Sequence, residues 1–210
     1  MDAGGSVMTS PRRPLVIGLV GGVGSGKTTV ARVLSDLGCV VVESDAIARE
    51  VLDQPDVQRE LVQWWGDSIL EKSGTICRQR IAEIVFRDSA ERSRLESLTH
   101  PLIEARRKAI FDAAPAACPA LVIDAPLLIE AGLHEICDLT IMIDTPREVR
   151  VNRVLSRQWT SRDLDSREAA QLPLDEKRSM ADHVVRNTGD LEALRCEVET
   201  LFRGIIEHYA

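Results

Sequence analysis

The sequence predicts an α/β fold in which a parallel sheet lies between two helical layers, extended by a helical insertion and a helical lid. Three observations predict it. A continuous apolar run at residues 15–20 leads through glycines into a helical apolar repeat at 27–37. Short apolar runs at 40–42, 121–123 and 139–143 lack a polar face, as strands covered on both sides of a parallel sheet require. Residues 55–114 carry no strand of comparable strength and read as amphipathic helices.

In chain order, residues 1–13 are rich in Gly, Ser, Pro and Arg, have no periodicity and are expected to form a mobile tail. Residues 15–20 are the first strand and the following glycines a loop. Ala31, Leu34 and Leu37 mark one face of a helix that Gly38 ends. Residues 40–42 complete a βαβ unit, and 45–52 turn helical. Helices are expected at 58–65, 78–86, 90–98 and 102–113. After the strands at 121–123 and 139–143 a helix opens at Pro146, where the missing N–H costs nothing and Thr145 can cap. A last strand at 183–185 and a closing helix at 191–206 complete the pattern. The expected division is a core of 14–45, 116–152 and 181–210, an insertion of 46–115 and a lid of 153–180.

Composition bounds the function. At 210 residues the chain suits one cored domain with a modest insertion. Its 44% apolar residues supply a core that a disordered chain lacks. A net charge of −7 opposes the electropositive footprint that nucleic acid or an anionic membrane needs, so no nucleic-acid or membrane partner is expected. With three Trp, three Phe and one Tyr, a stacking platform for single strands is not expected either. No apolar run approaches the roughly 18 residues of a membrane span. Cys39, Cys77, Cys118, Cys137 and Cys196 are scattered, with neither a CxxC pair nor a His at ligand spacing. That signals no disulfide framework or zinc site and fits a reducing cytoplasm. Arg outnumbers Lys 22 to 4, which suits planar recognition of phosphate or carboxylate and equally fits a bias of the gene.

The run GGVGSGKT, from Gly21 to Thr28, satisfies GxxxxGK followed by Ser or Thr, between a predicted strand and a predicted helix. Glycines let successive N–H groups converge on the β- and γ-phosphates, the helix N-terminus adds positive potential, and Lys27 neutralises charge on the transferring group. Gly22, Val23, Gly24, Ser25, Gly26, Lys27, Thr28 and Thr29 are therefore the expected nucleotide-binding residues, with Thr28 a Mg2+ ligand. This is a P-loop, and the fold becomes a P-loop NTPase three-layer core. A switch GTPase, a motor ATPase and a small-molecule kinase all remain open at this point.

Other residues bear on that choice. Asp45 follows the second strand and can accept a hydroxyl proton from an acceptor, or merely cap a helix and pair with Arg49. Asp124 ends a strand, where a carboxylate reaches Mg2+; its alternative is a turn before Pro126. Arg147, Arg150, Arg153 and Arg157 share one helical face whose mutual repulsion calls for anions. With Arg162 and Arg167 they suggest a lid closing over phosphates, against a solvated face paired with Glu148 and Asp163. His100 before Pro101 can cap, pack or bind substrate. Asn187, Gly189 and Asp190 echo a guanine-reading pattern, but Thr188 replaces its Lys, leaving a turn that lines the base pocket.

Taken together, IGLVGGVGSGKTTVA, VVVESDAIAREV, AEIVF, LESLTHPLI, APLLIEAGL, RVLSR, REAAQLPLDEK and ADHVVRNTGD resemble, in order, the segments of the dephospho-CoA kinase family, over about residues 16–201. The resemblance implies phosphorylation of the ribose 3'-hydroxyl of 3'-dephospho-CoA by ATP, giving CoA and ADP, the last step of coenzyme A biosynthesis. It implies Asp45 as base, Lys27 and Arg157 as catalytic cations, and Mg2+ on Thr28 and Asp124. Asn187 and Gly189 then fall near the adenine, and Arg78, His100, Pro126 and Leu127 on the acceptor side. The sequence departs from the family at Glu43 and Ser44, where Asp-Ala is usual, at Cys77 for an Asp that could orient Arg78, and at Arg150 for Gln. A monomer is expected. The rivals are a nucleoside or nucleoside-monophosphate kinase, with the same core and lid, and a P-loop regulatory NTPase, which needs no acceptor pocket.

Overall fold

The computed structural model describes residues 13–156 and 159–209. They form two compact units: Val42–Ala113, and the chain up to Val41 together with the chain from Ala114 onward.

The larger unit is built on β1 (Leu15–Val20), β3 (Ala120–Asp124), β4 (Leu139–Asp144) and β5 (His183–Arg186). With β2 (Val40–Glu43), which runs into the other unit, they make one five-stranded sheet in the order β2-β3-β1-β4-β5. β1 pairs in parallel with β3 on one side, Ile17 opposite Val122, and with β4 on the other, Ile17 opposite Leu139; β5 pairs in parallel with β4. Each strand before a crossover is short and apolar because helices cover both faces of the sheet. One such layer is α1 (Lys27–Asp36) with α9 (Leu191–Tyr209), whose Val30, Leu34, Leu194, Val198, Phe202 and Ile205 pack on Ile17, Leu19, Val122, Ile141 and Ile143. The tail expected at 1–13 falls outside the described residues except for Arg13, whose guanidinium pairs with Asp138 at 2.6 Å.

Between β4 and β5 lie α6 (Arg147–Leu155), α7 (Ser161–Glu168) and α8 (Leu174–Ser179). Pro146 is itself the N-cap of α6 and no side chain caps the helix, so the expected Thr145 cap is corrected: its hydroxyl donates instead to the Ser25 carbonyl at 2.9 Å. α7 opens on a capping box between Thr160 and Asp163, whose carboxyl is held below its usual range by hydrogen bonds from the Thr160 N–H and hydroxyl. The Arg167 guanidinium stacks 4.2 Å above the Trp159 ring.

The smaller unit holds α2 (Ser44–Leu52), α3 (Pro55–Trp65), α4 (Arg78–Arg87) and α5 (Ser89–Asp112). Ile47, Val51, Val57, Leu61, Ile69, Ile76 and Ile81 form its core. Trp64 sits edge-on to Trp65 and under the Arg94 guanidinium at 3.9 Å. The sequence predicts two helices at 90–98 and 102–113; the structure has one, running through Pro101. A mid-helix Pro removes one backbone hydrogen bond. Leu95, Leu98, Leu102, Ile103, Ile110 and Phe111, on both sides of Pro101, pack against the same core, and that shared packing outweighs the lost bond. Asp88 caps the start, accepting from Ala90 N at 2.8 Å.

Candidate functional site

β1 delivers the chain into the loop from Gly21 to Gly26, and α1 begins directly at Lys27. The α1 N-cap is Gly26, which has no side chain to occupy the helix N–H groups, and no acid stands in the first turn. This N-terminus therefore keeps its positive potential for an anion. Gly24 and Gly26 adopt φ of +76° and +98°, which an L side chain rarely takes up. A Cβ at Gly24 would also stand 3.0 Å from the Arg150 carbonyl oxygen, and one at Gly26 would overlap the Asn187 amide. The Lys27 Nζ donates to the carbonyl oxygens of Gly21 at 2.8 Å and Gly22 at 3.3 Å, folding the ammonium back over the loop. Thr28 is exposed and Thr29 half-buried beside it.

Ser25 anchors the loop to the body of the unit. It is buried, and its Oγ has no hydrogen-bond partner among the described residues. Its carbonyl oxygen accepts from Thr145 Oγ1 at 2.9 Å, Asn187 Nδ2 at 2.7 Å and Arg153 Nη1 at 3.2 Å. Arg153 Nη2 also donates to Asn187 Oδ1 at 3.0 Å. Asn187 is 3% exposed, so its amide is committed to the loop and to Arg153. Gly189, two residues on, is exposed, and Asp190 accepts from Ala193 N at 2.9 Å at the start of α9. Asp124, 8% exposed, is the last residue of β3 and stands opposite Leu19 of β1. Pro126 is half-buried and Leu127 exposed just beyond it.

Two arginines of the α6 face find carboxylates within the chain. Arg147 pairs with Asp165 and, at 2.7 Å, with Glu168. Arg150, 4% exposed, pairs with Glu168 and donates to the Thr145 carbonyl at 3.1 Å. Arg157 lies outside the described residues. Two partners here escape sequence reasoning: Glu130 and Lys177. Lys177 is 1% exposed and pairs with Glu130 at 2.8 Å, while Glu130 also accepts from Leu172 N at 2.8 Å. Burial pushes the Glu130 carboxyl upward, but hydrogen bonds from Lys177 and the backbone outweigh it and hold the group below its usual range. No local pattern marks Lys177, which stands in a polar run.

Asp45, Arg78 and His100 belong to the smaller unit. Glu43 is the N-cap of α2 and Asp45 stands in its first turn, exposed, making neither a capping bond nor an ion pair with Arg49 among the described residues. Arg78, first residue of α4, pairs with Asp53 at 2.7 Å. Asp53 thus orients this guanidinium where the sequence looked to position 77 and found Cys77. His100 is exposed within α5.

A parallel α/β sheet whose first strand feeds a glycine-rich loop and a helix opening on Lys-Thr defines a P-loop nucleotide-binding protein. The family model for dephospho-CoA kinase matches residues 15–193. A dephospho-CoA kinase of Deinococcus radiodurans is 40% identical over 94% of this chain and 95% of its own length. Among solved structures, TT1252 from Thermus thermophilus superposes with a TM-score of 0.80 at 30% identity, covering 95% of this chain and 100% of that one. The dephospho-CoA kinase of Campylobacter jejuni gives 0.69 at 25% identity, covering 93% and 98%. The chain belongs to the dephospho-CoA kinase family.

Proposed function

We propose that this chain transfers the γ-phosphoryl group of ATP to the ribose 3'-hydroxyl of 3'-dephospho-CoA, giving CoA and ADP. The observation that carries the reading is the glycine-rich loop, left-handed at Gly24 and Gly26 and closed by Lys27 at an uncapped helix start, in a member of this family. Residues 22–29 would cradle the phosphates through their N–H groups, with Lys27 exchanging its carbonyl partners for phosphate oxygens. Asp45, exposed and uncommitted to capping, would orient the acceptor hydroxyl and take its proton. A carboxylate of ordinary basicity suffices, since a loose phosphoryl-transfer transition state asks for orientation and late proton acceptance.

Thr28 and Asp124 would hold Mg2+. Both offer the hard oxygen donors that this ion prefers, one in the first turn of α1 and one at the end of β3. When bound, the ion neutralises charge on the β- and γ-phosphates. Arg157 completes the cationic set by resemblance; Gly189 lies in the turn after β5 assigned to the nucleotide, and Arg78, His100, Pro126 and Leu127 are assigned to the acceptor side. The cytoplasm is the proposed setting, supported by five free thiols, and a monomer the proposed form, since one chain carries both the loop and Asp45. Among the described residues, no helix is long and apolar enough to cross a membrane.

The test is ADP release by the purified protein with 3'-dephospho-CoA, CoA and a nucleotide panel. Release is expected with 3'-dephospho-CoA alone. Equal turnover without acceptor would replace the reading with a regulatory NTPase, and stimulation only by a nucleoside monophosphate would replace it with a nucleotide kinase.

A further inference from the structure

The Ser25 carbonyl takes three donors from three separate segments: Thr145 after β4, Arg153 on α6 and Asn187 after β5. A carbonyl has two lone pairs, so this oxygen is saturated. The orientation of the Asn187 amide follows from its other neighbour. A guanidinium only donates, so Oδ1 must face Arg153, and Nδ2 is left to face Ser25. The Ser25–Gly26 peptide is planar and trans, so its N–H points away from the three donors. That Gly26 N–H has no acceptor among the described residues, although it stands at the head of α1. One end of the peptide is triply held and the other is unsatisfied.

We propose that Thr145, Arg153 and Asn187 are positioning residues that lock the Ser25–Gly26 peptide with its N–H turned toward the bound phosphates. Asn187 then acts on the nucleotide through the loop and not on the base. The inference rests on reading this loop as a triphosphate site. Fixing the peptide beforehand removes the reorientation that phosphate binding would otherwise have to drive. Gly26 is required on the same grounds, because any side chain there would displace the Asn187 amide.

Calorimetry of the full chain with ATP and with inorganic tripolyphosphate, which has no base, tests it. Asn187→Ala is expected to weaken both ligands by the same factor, roughly 10-fold, since it removes one donor and releases Arg153. Thr145→Val should weaken both by roughly 3- to 10-fold, and Thr145→Ser, which keeps the hydroxyl, should restore wild-type affinity. In turnover, KM for ATP should rise while KM for the acceptor stays unchanged. A weakened ATP with unchanged tripolyphosphate in Asn187→Ala would assign the residue to the base and overturn the proposal, as would a Thr145→Val that matches Thr145→Ser. Should Asn187→Ala fail to fold, the Thr145 pair decides alone. Wild-type protein that binds both ligands but does not phosphorylate 3'-dephospho-CoA would sink the acceptor assignment and leave this inference standing. Wild-type protein that binds neither would overturn both.

Discussion

Gly26 and Asp45 are single residues whose substitution separates chemistry from folding. Gly26→Ala sets a methyl against Asn187 and forces a left-handed φ on a side chain, a strain of roughly 1–3 kcal/mol. ATP should therefore bind at least roughly 10-fold more weakly, read by calorimetry, with an unchanged far-ultraviolet circular dichroism spectrum. Asp45 is exposed and caps nothing, so Asp45→Asn should keep the wild-type Tm while turnover falls by roughly 100- to 10,000-fold. Unchanged kinetics would return Asp45 to a bystander of α2. Lys27→Ala should also lose turnover by orders of magnitude, because its ammonium has no substitute within the loop.

Among the elements, α8 is held by the ion pair of the buried Lys177 with Glu130, and the pair carries a pH dependence of known sign. The folded Glu130 pKa is depressed relative to an unfolded Glu near about 4.3. Its contribution is thus fully present above about pH 4.3 and is lost as pH falls through the lower folded value. Glu130→Ala leaves an ammonium buried without its carboxylate, which should cost about 3 kcal/mol and speed hydrogen exchange across α8 at neutral pH. The strands and the nucleotide loop were legible in the sequence because they are local: an apolar run and a spacing of glycines suffice. The partners of the α6 arginines were not. The sequence required anions for Arg147 and Arg150, and the anions proved to be Asp165 and Glu168, brought close only by the fold of α7. Asn187 meets the loop from 162 residues away, a contact that no periodicity encodes. At α5 the local rule for Pro101 lost to packing on either side of it.

At the scale of the whole molecule, the larger unit depends on the layer that α1 and α9 lay over the sheet. Phe202→Ala opens that layer and should destabilise the protein by about 3 kcal/mol, lowering Tm by roughly 6–12 °C with ATP affinity retained at 25 °C. A variant that loses nucleotide affinity in step with Tm would tie this layer to the loop instead. The chain's three indoles are divided in a useful way: two adjoin one another in the small unit, while the third, Trp159, lies beneath Arg167 at the entrance to α7. Replacing Trp64 and Trp65 by Phe would leave Trp159 as a lone indole beside a cation. Its fluorescence then becomes a built-in optical gauge of the α7 segment, read without any attached dye.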